Sequence, residues 1–254
     1  MISVAFYNLK GGVGKTTTAV NMAWLSAAAG KQTVLWDLDP QAAASWFFQQ
    51  HDEARRSVRM LEKGKPVAEL MVATPFNNLT LIPADLSLRK LDKTFATGNE
   101  SRKVFRALQK SLSARTDVLV YDCPPSLSPA LEQVLSEVDI LLIPMIPSPL
   151  SLRAMEQVIG FFAGRKQAPR AIFGFFNQVD MRRRLHREAI ENLRKMPLPM
   201  LKTWIPMDSA VEQMALRQAP LASYSGSGRA APAYLAMWKE IARLLRQSAS
   251  ADKG

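Results

Sequence analysis

The sequence predicts an α/β fold, a three-layer sandwich in which helices cover both faces of a mostly parallel central sheet. Short apolar runs alternate with helical patterns along the chain, and each run is continuously apolar, as in strands that are buried on both faces. The 254 residues are 48% hydrophobic, which is enough to bury one substantial core. We therefore expect a single domain over residues 1–247, followed by a disordered polar tail over 248–254.

The predicted elements begin with a strand at 2–7 that leads into a glycine-rich loop. After the loop, apolar residues recur at helical spacing and end at a glycine: Ala19, Val20, Ala23, Trp24, Ala27 and Gly30. Further strands are predicted at 33–36, 79–82, 118–121, 140–143, 171–176 and 201–205. The order strand, loop, helix at the start is the context that a phosphate-binding loop requires.

The loop itself has the composition of such a site. Its residues are Leu9, Lys10, Gly11, Gly12, Val13, Gly14, Lys15, Thr16 and Thr17. Backbone N–H groups of the turn point at an anion, Lys15 adds a full charge, and the Thr16 hydroxyl can bind Mg²⁺. The strict P-loop pattern has glycine where this chain has Leu9, and Lys10 is a second lysine at the turn. We therefore predict a P-loop NTPase with a deviant Walker A motif.

Two acidic motifs follow predicted strands, where an open parallel sheet places its ligands. Asp39 lies in Asp-Leu-Asp-Pro-Gln at 37–41, and Asp122 begins Asp-Cys-Pro-Pro at 122–125, which resembles a Walker B motif. We expect Asp122 to hold Mg²⁺ through a water molecule and Asp39 to orient the water that attacks the γ-phosphate. Each carboxylate could instead cap the helix that follows it, but their occurrence beside the phosphate loop favours the catalytic interpretation.

Composition excludes several other classes of site. Cys123 is the only cysteine, and His51 and His186 are the only histidines, so no zinc or iron–sulfur ligand set is present and Mg²⁺ is the only metal expected. The N-terminus does not have the pattern of a secretory leader, and no apolar run approaches bilayer length. We expect a cytoplasmic protein.

These motifs bring the chain close to a known family. The segments 10–17, 37–41 and 120–125 closely resemble the ParA/MinD class of deviant Walker A ATPases, and 205–208 is similar to the segment that lines their adenine pocket. The resemblance extends over roughly the whole chain. It implies ATP as the nucleotide and a homodimer that sandwiches it, with Lys10 of each subunit reaching the phosphates held by the other. Ala42 stands where this class usually has glycine.

The resemblance also implies which residues contact the base. They are Asn177, which would hydrogen-bond the adenine edge, and Pro206, Met207 and Asp208. The run Asn-Gln-Val-Asp at 177–180 is also similar to the guanine-reading motif of related GTPases, with Gln178 in place of lysine, so GTP stays open as an alternative. Asp180 could simply cap a helix that begins near Met181.

Charge indicates the partner. The chain has 33 Lys and Arg against 22 Asp and Glu, a net charge of +11, which suits a polyanion such as DNA. The densest basic run supplies the predicted DNA contacts: Arg182, Arg183, Arg184 and Arg187. Helical spacing places Arg183, Arg187 and Arg194 on one face. It places an apolar stripe on another: Leu185, Ala189, Leu193 and Met196. The alternative is a merely solvated charged face.

Membrane recruitment, as in MinD-like relatives, is a second interpretation. An apolar stripe runs along the last predicted helix: Tyr234, Met237, Trp238, Ile241, Leu244 and Leu245. Such a stripe could lie on a bilayer, but it more often packs a final helix on the core, so we do not expect membrane binding. A tyrosine autokinase would have a tyrosine-rich tail, which this chain does not have, and a single cysteine excludes a nitrogenase-like reductase.

Within the ParA family, the run at 35–45 looks most similar to orphan proteins that space cargo, including the McdA type that distributes carboxysomes. The resemblance implies nonspecific DNA binding, slow ATP hydrolysis and a cargo-bound activator that is ParB-like or McdB-like. It also implies association with the nucleoid in the ATP state. The first strand begins at residue 2, so we expect no N-terminal operator-binding domain. The cargo that the resemblance implies is a plasmid, a chromosome region or a protein body such as a carboxysome.

Overall fold

A computed structural model of the chain describes residues 1–48, 67–84, 106–107 and 109–251. The strands within these ranges are β1 (Ile2–Phe6), β2 (Thr33–Asp37), β3 (Val72–Ala73), β4 (Leu79–Ile82), β5 (Val118–Asp122), β6 (Ile140–Met145) and β7 (Ala171–Phe176). They form one sheet in the order β3-β4-β2-β5-β1-β6-β7. Only β3 pairs antiparallel among them, which confirms the predicted mostly parallel sheet.

Helices cover both faces of this sheet. They are α1 (Lys15–Ala28), α2 (Ala43–Phe47), α3 (Pro129–Glu137), α4 (Pro149–Phe162), α5 (Arg184–Glu191), α6 (Ser209–Arg217) and α7 (Ala230–Ala251). Alternate side chains of a strand point to opposite faces. In β1, Val4 and Phe6 accordingly join the core beneath α1 and α7, whereas Ala5 joins the core beneath α3 and α4. Burial on both faces explains why the strands are continuously apolar in sequence.

Proline and serine set the starts of two helices. Ser128 accepts a hydrogen bond from the backbone N–H of Leu131, and Ser148 accepts one from Ser151, while a proline occupies the first turn of α3 and of α4. Both devices favour a helix N-terminus, because serine satisfies a free N–H group and proline has none to satisfy.

The predicted strand at 201–205 is wrong. This segment runs beside β7, with Leu201 N–H donating to Gly174 and Ile205 N–H to Phe176, but the isolated bridges in this region are at the flanking Met200 and Pro206. Between these two bonds, the carboxylate of Glu240 accepts the backbone N–H groups of Lys202 and Thr203. A long-range side chain thus takes the donors that a strand ladder would use.

The apolar stripe of the last helix packs on the core. Its residues Tyr234, Met237, Trp238, Ile241 and Leu245 are all buried in the core cluster that also contains α1. The stripe is therefore not available to a bilayer surface. Within the described residues, no helix is both long and apolar enough to cross a membrane. The helix continues to Ala251, so the predicted tail is helical at its start, while residues 252–254 lie outside the described ranges.

Candidate nucleotide-binding site

The loop between β1 and α1 has the backbone conformation of an anion cradle. Gly12 and Gly14 both have left-handed dihedrals, with φ of 73° and 86°. This region is open to glycine and strained for other residues. Gly14 is also required by space, since a Cβ at this position would overlap the amide nitrogen of Asn177. The loop conformation thus depends on glycine at two of its three positions.

Side chains at the start of α1 close the loop. The Lys15 Nζ donates to the carbonyl of Lys10 at 3.0 Å, and the hydroxyls of Thr17 and Thr18 donate to the carbonyl of Gly14 at 3.1 and 2.7 Å. Lys15 is only 7% exposed, and burial lowers its pKa, although the nearby carboxylate of Asp122 acts in the opposite direction. A buried ammonium group at this point is placed to meet phosphate charge.

Two amide side chains after β7 lie against the same loop. Asn177 Nδ2 donates to the carbonyl of Val13 at 2.8 Å, and Gln178 Nε2 donates to the carbonyl of Gly12 at 2.7 Å. The Asn177 oxygen accepts the N–H of Gln178. Asn177, which was predicted to contact the base, therefore makes its described hydrogen bonds with the phosphate loop and with Gln178.

Asn8 is a site residue that the sequence analysis missed. It is fully buried, its amide nitrogen donates to the carbonyl of Pro144 at 2.8 Å, and its oxygen accepts the N–H of Lys10 at 2.9 Å. This side chain ties the entry of the loop to β6. Its only sequence signal is a polar residue directly after an apolar strand.

A cavity of about 420 Å³ opens above the loop. Its lining contains predicted site residues: Gly11, Gly12, Gly14, Lys15, Thr16, Thr17, Asp39, Asn177, Pro206, Met207 and Asp208. It also contains Ile205, the first residue of the predicted adenine-pocket segment, and residues that were not predicted as site residues: Pro125, Gln178, Val211 and Glu212. Two predicted loop residues are not among the described residues that line the cavity: Val13, which is fully buried, and Lys10. The fold thus brings the phosphate loop, Asp39 and residues 205–208, here called the base segment, to one cavity at the carboxyl edge of the sheet.

The base segment forms one wall of the cavity. It is held to β7 through Val179, whose N–H donates to Ile205 and whose carbonyl accepts the N–H of Met207. The carboxylate of Asp208 accepts the N–H groups of Ala210 and Ala230, so this predicted nucleotide-binding residue also caps α6.

Two buried carboxylates meet behind the loop. Asp37 and Asp122 are register partners on the neighbouring strands β2 and β5. Burial raises the pKa of Asp37 to about 7 against the lowering effect of its hydrogen bonds from Ser45, and burial together with Asp37 raises the pKa of Asp122 well above its usual range. Asp37 was not predicted as a site residue.

Asp122 fits the role of an acceptor for a magnesium-bound water. Both of its oxygens are buried and complete no hydrogen bond of normal geometry, although the Thr16 hydroxyl is near enough to favour the ionised form. Unsatisfied buried carboxylate oxygens are costly unless another group completes them. A hydrated Mg²⁺ between Thr16 and Asp122 would supply the missing donors and the missing positive charge.

Asp39 lies at the rim of the cavity on the turn before α2. Its carboxylate accepts the N–H of Gln41 at 2.9 Å, and its carbonyl accepts the N–H of Ala42 at 2.8 Å. Ala42 has a left-handed φ of 55°. Glycine adopts this conformation without strain, which explains why glycine is usual at this position in the class that the sequence resembles. The turn presents Asp39 to the cavity at some cost in backbone strain.

The predicted DNA-contacting arginines lie outside the cavity. Arg182 pairs with Asp180 at 2.9 Å, Arg184 pairs with Glu188, and Arg187 donates to the carbonyls of Met181 and Arg182. Side chains 182 and 184 are nevertheless 88% and 86% exposed, and exposed ion pairs contribute little to stability.

The helix predicted to begin near Met181 begins instead at Arg184. Asp180 accepts the N–H of Arg182 in the preceding turn, so it does not cap the helix. The apolar stripe is only partly confirmed, because Leu185 is 47% exposed. The prediction that Arg183, Arg187 and Arg194 share one helical face is wrong for Arg194, because the helix ends at Glu191.

Comparison with known proteins places this geometry in context. Residues 1–170 match a family model described as an AAA domain. The chain is 29% identical to the sporulation initiation inhibitor protein Soj of Bacillus subtilis over 94% of this chain and 97% of that protein. It is 25% identical to the chromosome partitioning protein ParA of Myxococcus xanthus, covering 94% and 87% of the two chains.

Among solved structures, a putative plasmid partition protein from Borrelia burgdorferi bound to AMPPNP superposes with a TM-score of 0.78. The sequence identity is 20%, and the match covers 95% of this chain and 98% of that one. This likeness confirms the fold.

Proposed function

Because the chain belongs to the AAA-domain family and is a ParA-family ATPase, we propose that it is an ATP-driven switch that positions a cargo. ATP closes a sandwich dimer, the dimer binds DNA without sequence specificity, and a cargo-bound activator stimulates slow hydrolysis that releases it. ATP and Mg²⁺ are the cofactors. The nucleotide state then determines where the protein resides, free in the cytoplasm or on the nucleoid.

One observation supports this proposal above the others. The phosphate loop and the buried Lys15 meet Asp39 and the base segment at a single cavity. Asp122, whose carboxylate oxygens are buried and unsatisfied, is close enough to Lys15 to oppose the lowering of its pKa. Phosphoryl transfer depends on positioning and on charge stabilisation, and these residues supply both. Lys15 binds the phosphates, and Asp39 aligns the attacking water and accepts its proton. Thr16 and Asp122 would hold Mg²⁺, Asp122 through a water molecule, and the ion would neutralise charge that develops on the phosphates.

The cavity supports ATP over GTP. Two of the residues that would read a guanine edge at 177–180 are engaged elsewhere, since Gln178, in place of lysine, binds the loop and Asp180 pairs with Arg182. A direct binding comparison of ATP and GTP by calorimetry tests this assignment, and tighter binding of GTP would contradict it.

Lys10 is proposed to act across the dimer. Its backbone is fixed within its own loop, because its N–H donates to Asn8 and its carbonyl accepts from Lys15. Neither bond uses the Lys10 side chain. No hydrogen bond or ion pair engages this side chain among the residues that the structure describes, and we infer that it serves the phosphates of the partner subunit.

We expect Lys10→Ala to bind ATP nearly as the wild type does, since Lys15 and the loop amides remain, but to lose the ATP-dependent dimer. Light scattering coupled to gel filtration, with and without ATP, measures this. Lys10→Arg, which keeps the charge, should retain at least part of the dimer. An undiminished ATP-dependent dimer in Lys10→Ala would rule out the trans role.

Nonspecific DNA binding is proposed to use the exposed arginines Arg182, Arg183, Arg184 and Arg187. Asp180 pairs with Arg182 and Arg183, and Glu188 pairs with Arg184. Arg187 donates to the backbone carbonyls of Met181 and Arg182. Phosphate groups can replace such exposed partners, and dimerisation doubles the basic surface, so two weak sites act together. Binding should weaken steeply with salt.

Charge reversal tests this surface. Arg183→Glu with Arg187→Glu should retain ATP binding and dimerisation but lose DNA binding, and each lost phosphate contact should flatten the salt slope by about one unit. Fluorescence anisotropy on arbitrary-sequence DNA, with ATP, measures both. A matched control reverses the same number of charges on α7, at the exposed Lys239 and Arg243. Equal losses in both pairs would show that net charge, and not this surface, carries the binding.

The cargo and its activator stay open proposals. A chromosome region is suggested by the named function of the Myxococcus relative, a plasmid by that of the Borrelia protein, and a protein body by the sequence resemblance to orphan ParA proteins. A pull-down with an ATP-trapped variant would separate a ParB-like activator from an McdB-like one. ATP-dependent sedimentation with anionic liposomes, in a dimer that ignores DNA, would favour a membrane-recruited ATPase instead.

A further inference from the structure

Two consecutive amide side chains after β7 hold the phosphate loop from outside its own strand and helix. Gln178 and Asn177 donate to the carbonyls of Gly12 and Val13, and both hydrogen bonds join residues more than 160 positions apart in the chain. The loop is therefore fastened to β7 as well as to β1 and α1.

These carbonyls are important because each belongs to a peptide unit whose N–H group can point at the bound anion. An anion-binding loop points its N–H groups at the ligand, so its carbonyls point away and need donors of their own. The peptide unit is planar. A donor that fixes the carbonyl of Gly12 consequently fixes the N–H of Val13, and a donor on the carbonyl of Val13 fixes the N–H of Gly14.

The backbone at Gln178 is built for this contact. Gln178 has a left-handed φ of 54°, which is unfavourable for a residue with a side chain. It is held there from both sides, since its N–H donates to Asn177 and the next residue, Val179, bonds to the base segment through both its N–H and its carbonyl. Strain of this kind persists where surrounding contacts determine the conformation.

We propose that Gln178 is a positioning residue of the phosphate subsite, which orients the loop N–H groups before the nucleotide arrives. The inference rests on the proposed nucleotide-binding function and deepens it. Asn177 acts in the same way on the adjacent carbonyl. The pair thus contributes to binding the phosphates, which every nucleoside triphosphate shares, and not to choosing the base.

Gln178→Met tests the proposal, because methionine has a similar length and apolar stem but no donor. Loss of one neutral hydrogen bond should weaken binding about three- to tenfold. The probes are ATP and inorganic tripolyphosphate, each with Mg²⁺, titrated by calorimetry. We expect both affinities to fall by the same factor and the ratio of ATP to GTP affinity to stay constant. Gln178→Lys, which restores a donor, should recover part of the loss.

The chain offers a matched control in Gln218. It is also a glutamine with a left-handed φ, 48°, and its Nε2 donates to a distant carbonyl, that of Trp46, at 3.2 Å. It is not among the described residues that line the nucleotide cavity. Gln218→Met should leave both affinities unchanged, and thermal unfolding of both variants confirms that they are folded.

Three results would overturn the inference while the wild-type protein still binds ATP: an unchanged tripolyphosphate affinity in Gln178→Met, a changed ratio of ATP to GTP affinity, or an equal loss in the Gln218 control. If the wild-type protein bound neither ATP nor tripolyphosphate, the proposed function would fail together with the inference.

Discussion

Lys15→Ala should abolish measurable ATP binding, with a loss of about a hundredfold or more. The ammonium group lines the cavity and is buried, so its pKa is lowered, while the carboxylate of Asp122 acts in the opposite direction. In the nucleotide complex, this group faces the phosphates in a partly desolvated site, in which a charge-assisted hydrogen bond is strong. Removing it also leaves the carbonyl of Lys10 without its donor.

Calorimetric titration with ATP and Mg²⁺ checks this expectation. Lys31→Ala is the matched control, because Lys31 is an exposed lysine just beyond the opposite end of α1. It should bind ATP as the wild type does. Retention of wild-type affinity in folded Lys15→Ala would mean that the loop does not bind phosphate in the way proposed.

Asp39→Ala should bind ATP but hydrolyse it about 10² to 10⁴ times more slowly, and should accumulate as the ATP-bound dimer. Asp39 lies at the cavity rim, while the loop and Lys15 carry the binding. Because its carboxylate also accepts the N–H of Gln41, alanine removes a turn contact together with the charge. Asp39→Asn separates the two effects, since its side-chain oxygen can still accept that N–H group.

Phosphate release in single-turnover assays, with light scattering for the dimer, measures both effects. Equal slowing in Asp39→Asn and Asp39→Ala would assign the loss to the missing carboxylate. Asp117→Ala serves as a control, because Asp117 precedes β5 at the opposite edge of the sheet and accepts the N–H of Gln32. Hydrolysis at the wild-type rate by purified Asp39→Ala would remove this residue from the mechanism.

Most strands could be predicted from sequence because their signal is local. A strand buried on both faces is continuously apolar, and β1, β2, β4, β5, β6 and β7 all show this pattern within a residue or two of their observed bounds. The same pattern failed at 201–205. There the backbone donors go to Glu240, which lies in α7 and leaves no trace in the local sequence.

The residues of the nucleotide site also divide into those that the local sequence predicts and those whose contacts depend on the fold. Gly12, Gly14 and Lys15 act through their own backbone conformation and their own charge, so their spacing in the sequence already predicts an anion cradle. The contacts of Asn177 and Gln178 with the loop required the fold, because they join residues far apart in the chain. A donor's identity can be read from sequence, but its acceptor cannot.

The sequence by itself determined the fold class, the family and the position of the phosphate loop, since each depends on residue type at fixed local spacing. Only the tertiary structure decided that the stripe of α7 belongs to the core, that Asp37 and Asp122 are adjacent buried acids, and that an amide pair after β7 holds the loop. These three results depend on which distant surfaces meet when the sheet is assembled. Local periodicity does not predict these long-range contacts, because they are set by packing and by the pairing of buried polar groups.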